Sequence, residues 1–110
     1  MQQVIVILTN VPDLQCGHTM AHALVEQGMA ACVNLLPAVR SVYRWQGTVE
    51  EAAEVTLLVK TTTALYRKVE AAIKAAHPYE VPEVIALPIV AGLPSYLDWV
   101  VSETNKDGDV

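Results

Sequence analysis

Basic residues are scarce in this chain: seven Lys and Arg stand against twelve Asp and Glu among 110 residues, a formal net charge of -5 with histidine neutral. Nucleic acid and anionic membranes both call for a basic patch, so neither is expected as a partner. Charge of either sign is low, at 17%, while apolar residues make up 53%. A disordered chain has the reverse composition. No apolar run reaches the ~18 residues that a membrane-spanning helix needs. The opening Met1-Gln2-Gln3-Val4 has neither a positive region nor a cleavage site. It does not read as a signal peptide, and the expected compartment is the cytoplasm. The two cysteines, Cys16 and Cys32, lie outside any Cys-x-x-Cys spacing and read as free thiols. A Gly-rich phosphate loop and a Gly-x-Ser-x-Gly motif are missing. None of the three histidines sits beside an evident nucleophile. The expectation is a protein without catalysis and without an organic cofactor.

What is abundant is apolar surface. A small domain buries only about 60–70% of the surface that its unfolded chain exposes, and mean hydropathy here is +0.33. Soluble monomers seldom carry large apolar patches. A homo-oligomer is therefore expected before any motif is considered.

The hydropathy pattern divides the chain into one βαββαβ unit, a single domain over residues 1–110. Val4-Ile5-Val6-Ile7-Leu8 reads as a strand covered on both faces. Leu14, Gly17, Met20, Ala21, Leu24 and Val25 share one arc of a helix that begins near Pro12-Asp13 and is capped by Gly28. Residues 30–45, interrupted at Pro37, and residues 48–61 read as the arms of an antiparallel hairpin turned at Gln46-Gly47. Arms of about 14 residues exceed the usual ~5–6 and should extend beyond the sheet. Thr61-Thr62-Thr63 is placed to cap a second helix, which carries Leu65, Tyr66, Val69, Ala72, Ile73 and Ala76 on one arc. His77-Pro78 stops it. Residues 84–90 read as a fourth strand, an edge or bulged one because of Pro82 and Pro88. A short helix from Pro94-Ser95 follows, with Leu97, Val100 and Val101 on one face, and residues 102–110 read as a frayed tail. The order is that of a ferredoxin-like α+β sandwich, with helices on one face and an apolar opposite face in need of a partner.

Several residues are candidates for chemistry. His77-Pro78-Tyr79-Glu80-Val81-Pro82-Glu83 holds an imidazole, a phenol and two carboxylates in a loop stiffened by two prolines. It reads either as a ligand loop or as a helix stop leading into an edge strand. Cys32 reads either as a soft-metal ligand or as a small hydrophobe. His18 and His22 lie about 40° apart on the first helix and form an alternative surface pair for a divalent metal, with a solvated face as the plain reading. Ser41, Tyr43 and Trp45 alternate on one face of the hairpin arm, and Trp45 suits an interface anchor. Glu54 and Lys60 share a strand and either pair or face a cleft. A mixed His/carboxylate site built on His77 and Glu83 at a subunit boundary is expected to prefer Cu(II), with micromolar affinity.

The chain resembles the CutA divalent-cation tolerance family. The stretches that carry the likeness are Ala30-Ala31-Cys32-Val33-Asn34, Ser41 through Gly47, Glu54 through Thr61, the His77–Glu83 loop and Tyr96-Leu97-Asp98-Trp99. The resemblance implies a ferredoxin-like homotrimer with a long β2-β3 hairpin and a link to copper or another divalent cation. It also implies a likeness to PII-type signalling trimers. That alternative would put a small ligand in an intersubunit cleft formed by Tyr43, Trp45, Lys60 and Tyr79, with Arg44 nearby; a purely structural trimer is a third reading. Copper ligands proposed in the family's enterobacterial member are a Cys at the end of the first strand and two adjacent His at the end of the second helix. Leu8 and Ala76 take two of those three places, leaving His77, while Cys32 matches a position common in the family.

Overall fold

The computed structural model describes residues 3–104. Its elements follow the order β1 (Val4–Val11), α1 (Leu14–Glu26), β2 (Cys32–Trp45), β3 (Thr48–Thr62), α2 (Tyr66–Ala76), β4 (Ile85–Pro88) and α3 (Pro94–Thr104). The strands form one sheet in the order β2-β3-β1-β4, and every neighbouring pair is antiparallel. This is the ferredoxin-like α+β arrangement that the sequence pattern predicts.

Strand alternation separates two faces. Ile5, Ile7, Thr9 and Val11 of β1 stand in register with Thr61, Val59, Leu57 and Val55 of β3, and all eight are buried. On this face α1 packs Gly17, Met20, Ala21 and Leu24, and α2 packs Val69 and Ile73. Gly17 is there for close approach: a Cβ would lie 3.1 Å from Leu35 and 3.3 Å from Leu57. Asp13 caps α1, its carboxylate accepting from the Cys16 amide at 2.8 Å.

The hairpin arms run 14 and 15 residues, and every residue from Val42 to Glu51 is exposed. Gln46 at φ 50° and Gly47 at φ 81° make the two-residue turn, both in the left-handed region that a type I′ turn needs. Between Leu36 and Val39 the register slips, because β2 carries one residue more than β3 across that step. Ala38, at φ 62°, absorbs the bulge. The extra residue reverses side-chain parity, so Ser41, Tyr43 and Trp45 share a face with Asn34 and Cys32.

Four details depart from the sequence pattern. The Thr61-Thr62-Thr63 cap does not form. Thr61 and Thr62 stay in β3, a 3-10 turn spans Thr63–Leu65, and the Thr61 hydroxyl instead donates to the Met29 carbonyl at 2.6 Å. The fourth strand is shorter than residues 84–90, because only Ile85–Pro88 finds a ladder on β1. Ser102–Thr104 belong to α3 rather than a frayed tail. Thr104 is buried and donates to the Val100 carbonyl at 2.8 Å; residues 105–110 lie outside the described residues. Finally, the helices do not share one face. Cys32 pairs with Lys60 on the face opposite α1 and α2, and α3 packs on β3 and β1 with Tyr96 within electrostatic reach of Cys32. Thus α3 covers one end of the second face, and the other end stays open toward the hairpin.

Candidate functional site

At that open end, Asn10 joins three segments. Its backbone carbonyl accepts from His77 Nε2 at 2.7 Å, its Nδ2 donates to Glu83 Oε1 at 2.8 Å, and its Oδ1 accepts from Thr56 Oγ1 at 2.5 Å. The Tyr79 amide donates to His77 Nδ1 at 3.2 Å. With Nδ1 accepting from that amide and Nε2 donating to the Asn10 carbonyl, both ring nitrogens are engaged. His77 is also buried. It acts as a peg where α2 ends, holding the 77–83 loop against the end of β1.

Tyr79 leans on the His77 ring, with centroids 4.6 Å apart, and its hydroxyl donates to Glu54 Oε2 at 2.8 Å. Burial, and then the bond to that carboxylate, push the phenol well above its usual value of about 10. Glu54 is only 9% exposed, so the hydroxyl offsets part of the cost of desolvating its charge.

The loop and the hairpin enclose a cleft of about 700 Å³. Glu50, Glu54, Glu80 and Glu83 line it together with Tyr43 and Trp45, and among the described residues no Lys, Arg or His does so. Glu54 and Glu83 each spend one oxygen on the network. Oε1 of Glu54 and Oε2 of Glu83 carry no hydrogen bond among the described residues.

The residues singled out in the sequence fall into four places. Tyr43, Trp45, Tyr79 and Glu83 meet at this cleft, with His77 behind its wall. Cys32 and Lys60 do not. The Lys60 ammonium donates to Asn34 Oδ1 and lies 3.9 Å from Cys32 Sγ. That cluster sits four β3 residues, about 13 Å, from the Thr56–Asn10 pair. Arg44 is near the hairpin turn, 3.5 Å from the Gly47 carbonyl. His18 and His22 stand exposed on α1, their rings stacked 5.9 Å apart. Among the described residues, no three His, Cys, Asp or Glu side chains close on one point as a metal cage would. Asn10 and Thr56 were not legible as site residues, since an Asn at a strand end is an ordinary strand stop.

The family model for CutA1 divalent ion tolerance proteins matches residues 5–103. This chain belongs to the CutA1 family. The divalent-cation tolerance protein CutA of Thermus thermophilus is 52% identical over 100 residues, covering 91% of this chain and 97% of that protein. Its solved structure superimposes with a TM-score of 0.90, covering 92% of this chain and 98% of that one at 50% identity. Human CutA is 42% identical over 98 residues, 89% of this chain but only 55% of the human protein. The chain thus spans about half the length of that animal CutA relative. A Nostoc protein described as a PII-like CutA matches with a TM-score of 0.84 and 40% identity, covering 94% of this chain and 97% of that one. In the CutA frame, Leu8 pairs with Leu58, and Ala76 is the exposed last residue of α2. Neither offers a donor at the places where the sequence comparison put copper ligands.

Proposed function

We propose that this CutA1 chain works without catalysis as a homotrimer in the tolerance of, or response to, divalent cations. Its cleft takes up copper or a similar divalent ion on the free oxygens of Glu54 and Glu83. The observation that supports this is the charge of the cleft: among the described residues four carboxylates line it and no cation does. Carboxylate and carbonyl oxygens suit hard or borderline divalent ions. His77, its ring nitrogens engaged, contributes by holding the loop. Cys32 lies too far away to share the ion.

The trimer reading rests on exposed apolar surface. Val42 is 67% exposed and Val49 61%, in a hairpin whose β2 strand is an open sheet edge. An edge of that length calls for a cover. Pairing with a second copy would also bring another chain's donors to the cleft mouth, which a single chain leaves incomplete. The proposed compartment is the cytoplasm, although an Arabidopsis relative is named chloroplastic and an Archaeoglobus one periplasmic.

The Nostoc description favours a second reading, a small ligand in a PII-like cleft. An anionic ligand would meet four carboxylates here, while Lys60 and Arg44 stand elsewhere. The test is a melting-point screen of the assembled protein against divalent cations and against nucleotides, for wild type and Glu83→Gln. Stabilisation by cations that weakens in the variant supports the cation reading. Stabilisation by nucleotides alone favours the PII-like one, and no response to either leaves a structural trimer.

A further inference from the structure

Away from the cleft, His18 and His22 occupy consecutive turns of α1 on its solvent side. Residues four apart on a helix face each other. Here the two imidazoles are nearly parallel, with centroids 5.9 Å apart and planes 20° from each other. Neither ring makes a hydrogen bond within the described residues, so both keep donor nitrogens free. Both side chains are exposed and turn without disturbing the core, because the buried stripe of α1 runs through Gly17, Met20, Ala21 and Leu24.

We propose that His18 and His22 form a second cation site, a two-imidazole chelate for a borderline divalent transition-metal ion such as Cu(II). Two nitrogen donors on a rigid helix hold the ion at adjacent coordination positions. Among the described residues no third His, Cys, Asp or Glu closes round the pair, so water fills the remaining positions and the ion stays exchangeable. Imidazole favours Cu(II) above its first-row neighbours, in the usual affinity order for divalent ions. The site differs in kind from the cleft: nitrogen against oxygen donors, an open helix face against a walled pocket. It stands whether or not the cleft binds an ion.

Three histidines are present in the chain, and His77 has both ring nitrogens engaged. A signal from two imidazoles on one copper ion therefore reports this pair. The experiment is a Cu(II) titration of the assembled protein read by electron paramagnetic resonance, with wild type, His22→Ala and Glu83→Gln in parallel. The expected result is hyperfine structure from two nitrogens in wild type and in Glu83→Gln. In His22→Ala that signature disappears and affinity for this class of site falls by about tenfold or more. Ala at an exposed helical position keeps the fold, which circular dichroism checks. Absence of a two-nitrogen signal in wild type, or its persistence in His22→Ala, overturns the proposal.

Discussion

The Tyr79 hydroxyl, on the loop after α2, reaches across to the Glu54 carboxylate on β3 at 2.8 Å. This bond ties the Pro-stiffened loop to the base of the hairpin and sets one wall of the acidic cleft. Removing the donor in Tyr79→Phe leaves a largely buried carboxylate short of a partner. The expected loss is about 1–3 kcal/mol in denaturant unfolding. Glu54→Gln should cost less, because a neutral amide still accepts from the phenol.

The same bond gives a pH dependence with a definite sign. Tyr79 is raised in the folded state by burial and by Glu54. Its contribution is therefore fully present below the ordinary phenol value of about 10. It is lost as pH climbs from there toward the folded value, since the unfolded chain gives up its proton first. Unfolding free energy should fall above pH 10. The fall should be shallower in Tyr79→Phe, though not abolished, because Tyr66 and Tyr96 are raised by burial as well.

How much of this was legible in the chain differs from part to part. The alternation in β3 and the Gly17 stripe of α1 encode the helix-covered face directly, because burial on one side leaves a period in the sequence. The bulge was only half visible. Pro37 marks an interruption, but the parity reversal that turns Tyr43 and Trp45 toward Glu54 follows from how many residues β2 inserts against its partner. The Asn10 hub left no trace, since its three bonds join residues 46, 67 and 73 positions away. Loop stiffness at His77–Glu83 pointed to a segment that lines the cleft. The role of His77 as a peg depends on the position of the Asn10 carbonyl, which no spacing reveals.

Thr9 is fully buried on the helix-covered face, and its hydroxyl has no hydrogen-bond partner among the described residues. Thr9→Val keeps the shape and removes the orphaned group. It should raise stability by about 1 kcal/mol, read as a shift of the denaturant midpoint at constant slope. A loss of stability would mean that the hydroxyl has a partner.

A Cβ on Gly17 would lie 3.1–3.4 Å from side-chain atoms of Leu35, Leu57 and Val11. Gly17→Val forces a branched side chain into that layer and should cost about 1–3 kcal/mol by overpacking. The melting temperature of the variant checks this.

The hairpin supplies the assembly test. Val42 is well exposed in the single chain, so Val42→Glu should leave the subunit's fold intact. In a trimer covered along that arm, it should lower the assembled mass in light scattering. It should also make the melting temperature depend more steeply on protein concentration.

The most direct measurement is a calorimetric titration of Cu(II) and Mn(II) into the assembled His18→Ala/His22→Ala protein, with and without Glu54→Gln and Glu83→Gln. The account predicts that the histidine-free helix still leaves about one oxygen-donor site per chain, open to both ions. Loss of the two carboxylates should weaken that site by about tenfold or more. Equal binding with and without Glu54 and Glu83 would contradict the account and take the cation out of the cleft.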